Sequence, residues 1–295
     1  MQSNDTRPPK ATPRQAFRAA IEGEQPVFAP LCLDALTARL THELGFGAGY
    51  LSGGALGYAH AVSEALLTLT ELADTARHLT NRSDLPIIVD GGVGFGDAVH
   101  MARTIWEIES TSAAAIEIED QVAPKRVSHH RGIEHLVSTE QMCAKITHAV
   151  SARRDPDFLI IARTGAVRNE SFDAAVDRAN AYADAGADLV MLMPGTDTEW
   201  GDAPRRVAAP LAAITSLDTR TPGQWSDLGW RLIIDPFTAQ VLALDAVRNA
   251  YRHFIEHGNT GHDRRDIFAI YREIPELAGL NDLYEIEDNT TEQNT

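Results

Sequence analysis

Eight short apolar runs, set roughly 20 to 45 residues apart, restrict what this chain can fold into more than any other feature of its sequence. They occupy residues 27–34, 48–53, 86–90, 114–119, 158–164, 189–193, 209–215 and 231–235. Most are continuous rather than alternating, as strands covered on both faces are, and polar punctuation and a helical pattern usually follow. Eight strand-then-helix units predict a parallel sheet closed into a (β/α)8 TIM barrel.

The intervening helices are expected over 35–44, 70–79, 98–110, 138–152 and 172–185. Thr70 before Glu71, the Ser138-Thr-Glu-Gln opening and Asp173 in a first turn supply N-terminal caps and charges. Gly186 supplies a C-terminal stop. Two extra C-terminal helices are expected over 239–257 and 264–272. Residues 1–14 are polar and proline-bearing and 285–295 are acidic, so both ends are expected to be flexible. No Ser/Gly linker divides the 295 residues, and the reading is one barrel domain over 1–295.

The 26 basic and 42 acidic side chains leave a net charge of −16, which repels nucleic acid and anionic lipid. No basic stripe offsets it, and no window approaches the ~20 apolar residues of a membrane span. The two cysteines, Cys32 and Cys143, lie in different expected elements and indicate neither a disulfide framework nor a thiolate metal cluster. These features point to a soluble, cytoplasmic protein with neither nucleic acid nor membrane as partner. An anionic ligand would need a cation or oriented amides supplied locally.

In a parallel barrel the residues just past the strand C-termini share one face. Here they are Asp34, the Ser52-Gly53-Gly54 turn, Asp90 with the glycine-rich 91–96 loop, Glu119-Asp120-Gln121, Arg163-Thr164 and Asp235. The loop at 91–96 lacks the Lys-Ser/Thr of a P-loop and the spacing of a dinucleotide site. The plain alternatives are a turn cap for Asp90 and an ordinary polar strand end for Glu119 and Asp120.

The ordered fragments Asp34 to Arg39, Tyr50 to Gly54, Leu67 to Glu71, Asp90 to Gly96, Ile118 to Gln121 with Pro124-Lys125-Arg126, Ile161 to Thr164 and Tyr182 to Asp188 carry a resemblance. Together they make residues 30–257 similar to the isocitrate lyase and phosphoenolpyruvate mutase superfamily. The resemblance implies that Ser52, Gly53, Gly54 and Arg163, with Asp34 beside them, bind the carboxylate of a small 2-oxo or 2-hydroxy acid. It also implies one Mg²⁺ at Asp90, with Glu64 and Glu119 as outer carboxylates acting largely through water, stabilising an enolate as a carbon bond breaks. Dimers or tetramers are implied as well, since the long C-terminal helices fit members that pack helices between subunits.

The departures bear on mechanism. Lys125-Arg126-Val127-Ser128-His129 stands where the lyases carry Lys-Lys/Arg-Cys-Gly-His, and Val127 cannot move a proton. Gly92 replaces the second acid of an Asp-x-Asp pair, Gly165 an Asp, and Met193 a strand-six Glu, so a weaker hold on metal is expected. His129, His130 and His135 crowd the same loop beside Arg126 and Arg131. A histidine there, with His129 first, is a candidate acid or base alongside Arg163 and Glu119, while solvated loop residues, subunit contacts or a transition-metal site are the other readings.

Three functions follow. The first is a carbon–carbon lyase acting by retro-aldol cleavage or by decarboxylation, the latter needing no proton for departing CO2. The second is carbon–phosphorus chemistry on phosphonopyruvate or phosphoenolpyruvate, for which the loop retains only Ser128. The third is a carboxylate-binding barrel without catalysis.

Overall fold

The computed structural model describes residues 11–132 and 134–291. Eight parallel strands form the sheet: β1 (Val27–Pro30), β2 (Gly49–Leu51), β3 (Ile87–Asp90), β4 (Ala115–Glu119), β5 (Leu159–Arg163), β6 (Leu189–Met191), β7 (Leu211–Ile214) and β8 (Leu232–Asp235). Their order runs β1-β8-β7-β6-β5-β4-β3-β2, and a parallel bridge between Leu31 and Tyr50 joins β1 to β2, completing the barrel.

The helices ring the sheet. They are α1 (Pro13–Glu22), α2 (Ala35–Glu43), α3 (Gly53–Ala59), α4 (Leu69–Thr80), α5 (Ala98–Glu109), α6 (Thr139–Ala152) and α7 (Ala166–Asn169). After β5 and α7 come α8 (Phe172–Asp184), α9 (Asp197–Arg206) and α10 (Pro222–Leu228). Beyond β8 lie α11 (Thr238–His257), α12 (Arg264–Leu277) and α13 (Leu280–Thr290).

Strand parity sorts the core into two shells. Tyr50, Ile88, Ala115, Ile161, Met191 and Ile234 fill the lumen, and Phe17 and Ile21 of α1 pack into the same cluster. Val89, Ile116, Ile118, Ile160 and Val190 face outward onto Leu72 of α4, Ile105 of α5, Ile146 of α6 and Tyr182 of α8. Each such fully buried side chain is worth ~1.5–3 kcal/mol relative to exposure, which explains the nearly continuous apolar strands.

Several boundaries differ from expectation. Thr68, not Thr70, caps α4: its hydroxyl accepts from Glu71 N, and the Glu71 carboxylate accepts from Thr68 N at 2.8 Å. The first strand ends at Pro30 rather than residue 34, because the chain leaves the ladder after Leu31 so that Asp34 can cap α2. Residues 13–14 belong to α1, whose N-cap is Thr12, and residues 285–290 continue α13. Residues 1–10 and 292–295, also read as flexible, lie outside the described residues. Both cysteines are free, and no described helix is long and apolar enough to cross a membrane.

Candidate active site

The last lumen-facing positions of β3, β4 and β5 converge because neighbouring strands are in register: Asp90 pairs with Glu117, and Glu119 with Arg163. Glu117 and Glu119, two residues apart on one strand, point to the same side, so β4 delivers two carboxylates into the barrel mouth. Arg163 Nη1 lies 3.0 Å from Glu117 Oε1 and 3.8 Å from Glu119 Oε2. Tyr50 Oη donates to Glu117 Oε2 at 2.6 Å. Burial pushes the Glu117 carboxyl up to about 7 against the attraction of Arg163, and pushes the Tyr50 phenol well above its ordinary value.

Glu117 has a measurable consequence. A carboxyl whose folded pKa lies above its ordinary 4.5 keeps its proton longer in the folded chain. Its contribution to stability is therefore complete below 4.5 and declines as pH rises toward about 7. Urea midpoints should show Glu117→Gln losing less stability than the parent between pH 5 and pH 8, and parallel profiles would count against this.

Asp90 is buried beneath the turn after β2. Its Oδ2 accepts from Gly53 N at 2.9 Å and its Oδ1 from Gly92 N at 3.0 Å. Burial, with the nearby charge of Glu64, raises its pKa. A Cβ on Gly53 would stand 3.2 Å from carboxylate oxygens of both Asp90 and Glu64, so glycine is what lets the turn approach these acids. Ser52 caps α3 through Oγ, which accepts from Ala55 N at 3.2 Å. The Gly53 amide, expected to face a substrate carboxylate, is thus already engaged by Asp90.

The loop after β4 folds a cation into these acids. Lys125 Nζ lies 2.6 Å from Glu64 Oε1 and 2.5 Å from Glu119 Oε1. Burial opposes the charge on Lys125, but the surrounding carboxylates outweigh it and raise its pKa. Burial likewise opposes ionisation of Glu64, yet the His129 contact and the Lys125 charge bring its pKa down to about 2.

His129 Nε2 meets Glu64 Oε1, while Nδ1 lies 2.6 Å from the Arg126 carbonyl oxygen. A ring that must donate to a carbonyl at one nitrogen and to a carboxylate at the other is best satisfied as imidazolium. These two contacts raise the His129 pKa despite the opposing effect of burial.

The His130 ring lies 3.9 Å from that of His129, tilted by 39°, and contacts Tyr58 Oη and Ser63 Oγ, one layer farther out. The His135 side chain is exposed, and its backbone carbonyl accepts from Val122 N. Among the described residues, no group of three His, Cys, Asp or Glu side chains is arranged to hold a metal by itself.

Other strand-end residues are occupied locally. The exposed Asp34 carboxylate accepts from Thr37 N and Thr37 Oγ1 at 2.8 and 3.0 Å. Asp235 accepts from Leu217 N and Thr238 N, and Asp120 from Tyr182 Oη and Gly165 N. The structure therefore brings together Asp90, Glu64, Glu119, Arg163 and His129, with Ser52 and Gly53 at the rim, and gives Asp34 a capping role. Glu117 and Tyr50 were not singled out from sequence; the parity of Glu117 with Glu119 was the available signal.

Residues 17–255 match the family model described as phosphoenolpyruvate phosphomutase. A 2-methylisocitrate lyase of Aeropyrum pernix is 39% identical over 288 residues, covering 96% of this chain and 92% of the relative. A 2,3-dimethylmalate lyase of Eubacterium barkeri is 32% identical over 283 residues, covering 92% and 96%. A phosphonopyruvate hydrolase solved with oxalate and magnesium superposes with a TM-score of 0.85 at 28% identity, covering 95% of this chain and 99% of that one.

Proposed function

This chain belongs to the phosphoenolpyruvate mutase and isocitrate lyase superfamily and is an enzyme of its carbon–carbon lyase kind, and from that premise we propose that it cleaves a small 2-oxo or 2-hydroxy carboxylic acid through an enolate. The observation that carries this reading is the convergence of Asp90, Glu119 and Arg163 at one barrel mouth, with Lys125 bridging Glu119 to Glu64. Carboxylates gathered around the Lys125 ammonium, next to a guanidinium, suit an anionic substrate that must be charge-balanced within an acidic protein.

The donor set fits a divalent magnesium ion. It is oxygen-only and anionic, and Glu64 Oε1 and Glu119 Oε1 already gather around one cation, the Lys125 ammonium. Asp90 would ligate the ion, and Glu64 and Glu119 would hold its waters. Gly92 contributes a backbone N–H to Asp90 in place of a second acid, which weakens the hold. When bound, the ion would stabilise negative charge developing on the substrate oxygens.

The remaining roles fall to side chains. Arg163, fixed between Glu117 and Glu119, would orient the substrate carboxylate. His129 would be the acid that protonates a departing fragment, turning its Nε2 proton from Glu64 to the substrate while Nδ1 stays on the Arg126 carbonyl. Val127, 53% exposed on the same loop, has no proton to give. Retro-aldol cleavage uses His129 in this way and needs a carboxylate of the same cluster to take the proton of the substrate hydroxyl as it becomes a carbonyl, whereas loss of CO2 needs neither transfer. The test is pyruvate or glyoxylate release from a panel of 2-hydroxy and 2-oxo diacids with Mg²⁺. His129→Gln should depress retro-aldol turnover by roughly 10²-fold, the scale of one general acid. No product from any acid would overturn the reading.

A small-molecule carboxylate is thus the proposed ligand and a second copy of this chain the proposed protein partner. Helix α11 runs for 20 residues with no buried side chain, and Leu242, Leu244, Tyr251 and Ile255 on it are exposed. Apolar faces of this extent on the helix that follows a barrel's last strand are the kind covered by self-association. Light scattering should return a dimer or tetramer; a monomer at micromolar concentration would refute this.

A further inference from the structure

Next to the acidic cluster lies a cavity of about 430 Å³ that the chemistry above does not fill. One end is polar and is shared with the site through Asp90, Glu64 and Lys125. The rest has an apolar wall of Leu67, Leu72, Val93 and Phe95, the first three buried and Phe95 partly so, and is also lined by the exposed pair Asp97 and His100, which bond to each other at 2.8 Å. At roughly 30 Å³ per molecule the space would hold on the order of ten waters, and those against the apolar wall would lack the two to four polar partners an ordered water needs. Such a wall favours hydrocarbon.

Phe95 provides a second observation. It holds φ +58°, a left-handed conformation that a bulky side chain rarely adopts, between Gly94 at +78° and Gly96 at +156°. Strained non-glycine backbone of this kind persists where the surroundings over-determine it, and it gathers at ligand sites. Here it sets an aromatic ring into the cavity wall, one loop away from Asp90.

We propose that this cavity is a specificity pocket for an alkyl substituent, so that the substrate is a 2-oxo or 2-hydroxy acid carrying a branched or extended chain of about three to four carbons. The inference rests on the carboxylate-site reading above and names the substrate class it would take. A bare three-carbon acid would occupy the polar end and leave Leu67, Leu72 and Phe95 uncovered.

The test is calorimetric binding of pyruvate and of 4-methyl-2-oxopentanoate to the full chain with Mg²⁺. The branched acid should bind about tenfold tighter or more. Ala65→Trp, which places a ring in the cavity from a residue outside the acidic cluster, should erase that preference and leave pyruvate affinity unchanged. Phe95→Ala should reduce the preference by a smaller factor. Equal affinity for the two acids, or a preference that survives Ala65→Trp, would overturn the pocket while sparing the carboxylate site. Failure of both acids to bind would overturn the pocket and the carboxylate site together.

Discussion

Asp90→Ala should lower kcat/KM by roughly 10³-fold while the protein remains folded, because the lost group acts on charge that develops during the reaction. Asp90 is buried, its pKa is raised by burial and by Glu64, and it is fastened by the amides of Gly53 and Gly92. Two opposing effects bear on stability. Removing the carboxylate frees two backbone N–H groups at ~1–3 kcal/mol each, and it also removes a buried negative charge that sits close to two others. The net change in melting temperature should be only a few degrees, whereas any rise in melting temperature on adding Mg²⁺ should vanish. Steady-state kinetics and melts with and without Mg²⁺ would check both; near-parental turnover would remove Asp90 from the site.

Arg163→Met should be the most destabilising single change in the site. The guanidinium stands between Glu117 and Glu119, both almost wholly inaccessible, and its removal strips Glu117 of the cation 3.0 Å away, leaving it the Tyr50 hydroxyl, while Glu119 keeps Lys125. Breaking a buried pair by deleting one partner costs about 3–5 kcal/mol, or roughly 10 °C in melting temperature for a chain of this size. The loss should deepen as pH rises and both acids ionise. Adding Glu117→Gln to Arg163→Met should restore much of the stability, since the stranded carboxylate is gone, but none of the turnover. If the double variant melts no higher than the single one, the coupling inferred from the 3.0 Å contact is wrong.

The architecture was largely legible in sequence because a barrel strand is buried on both faces, and eight such runs punctuated by helices admit few other folds. Asp90, Glu119 and Arg163 were legible for a related reason: each is the last residue of its strand and must open onto the C-terminal face. Asp34 was ambiguous, since an acid just before a helix also reads as an N-cap, and capping is what its carboxylate does. Glu117 was hidden by its setting inside a strand, where only parity with Glu119 marks it as facing the lumen. The Lys125 bridge could not be read at all, because it depends on how the loop after β4 folds back over residues some 60 positions earlier in the chain.

The central claim is that a carboxylate ligand and a divalent cation share the mouth formed by Asp90, Glu119 and Arg163. Calorimetric titration of the full chain with oxalate, with Mg²⁺ and then with EDTA, addresses it most directly. Saturable binding that requires Mg²⁺ and disappears in Asp90→Ala is the predicted result. Oxalate binding that is indifferent to both EDTA and Asp90→Ala, or no binding at millimolar oxalate with Mg²⁺ present, would contradict it.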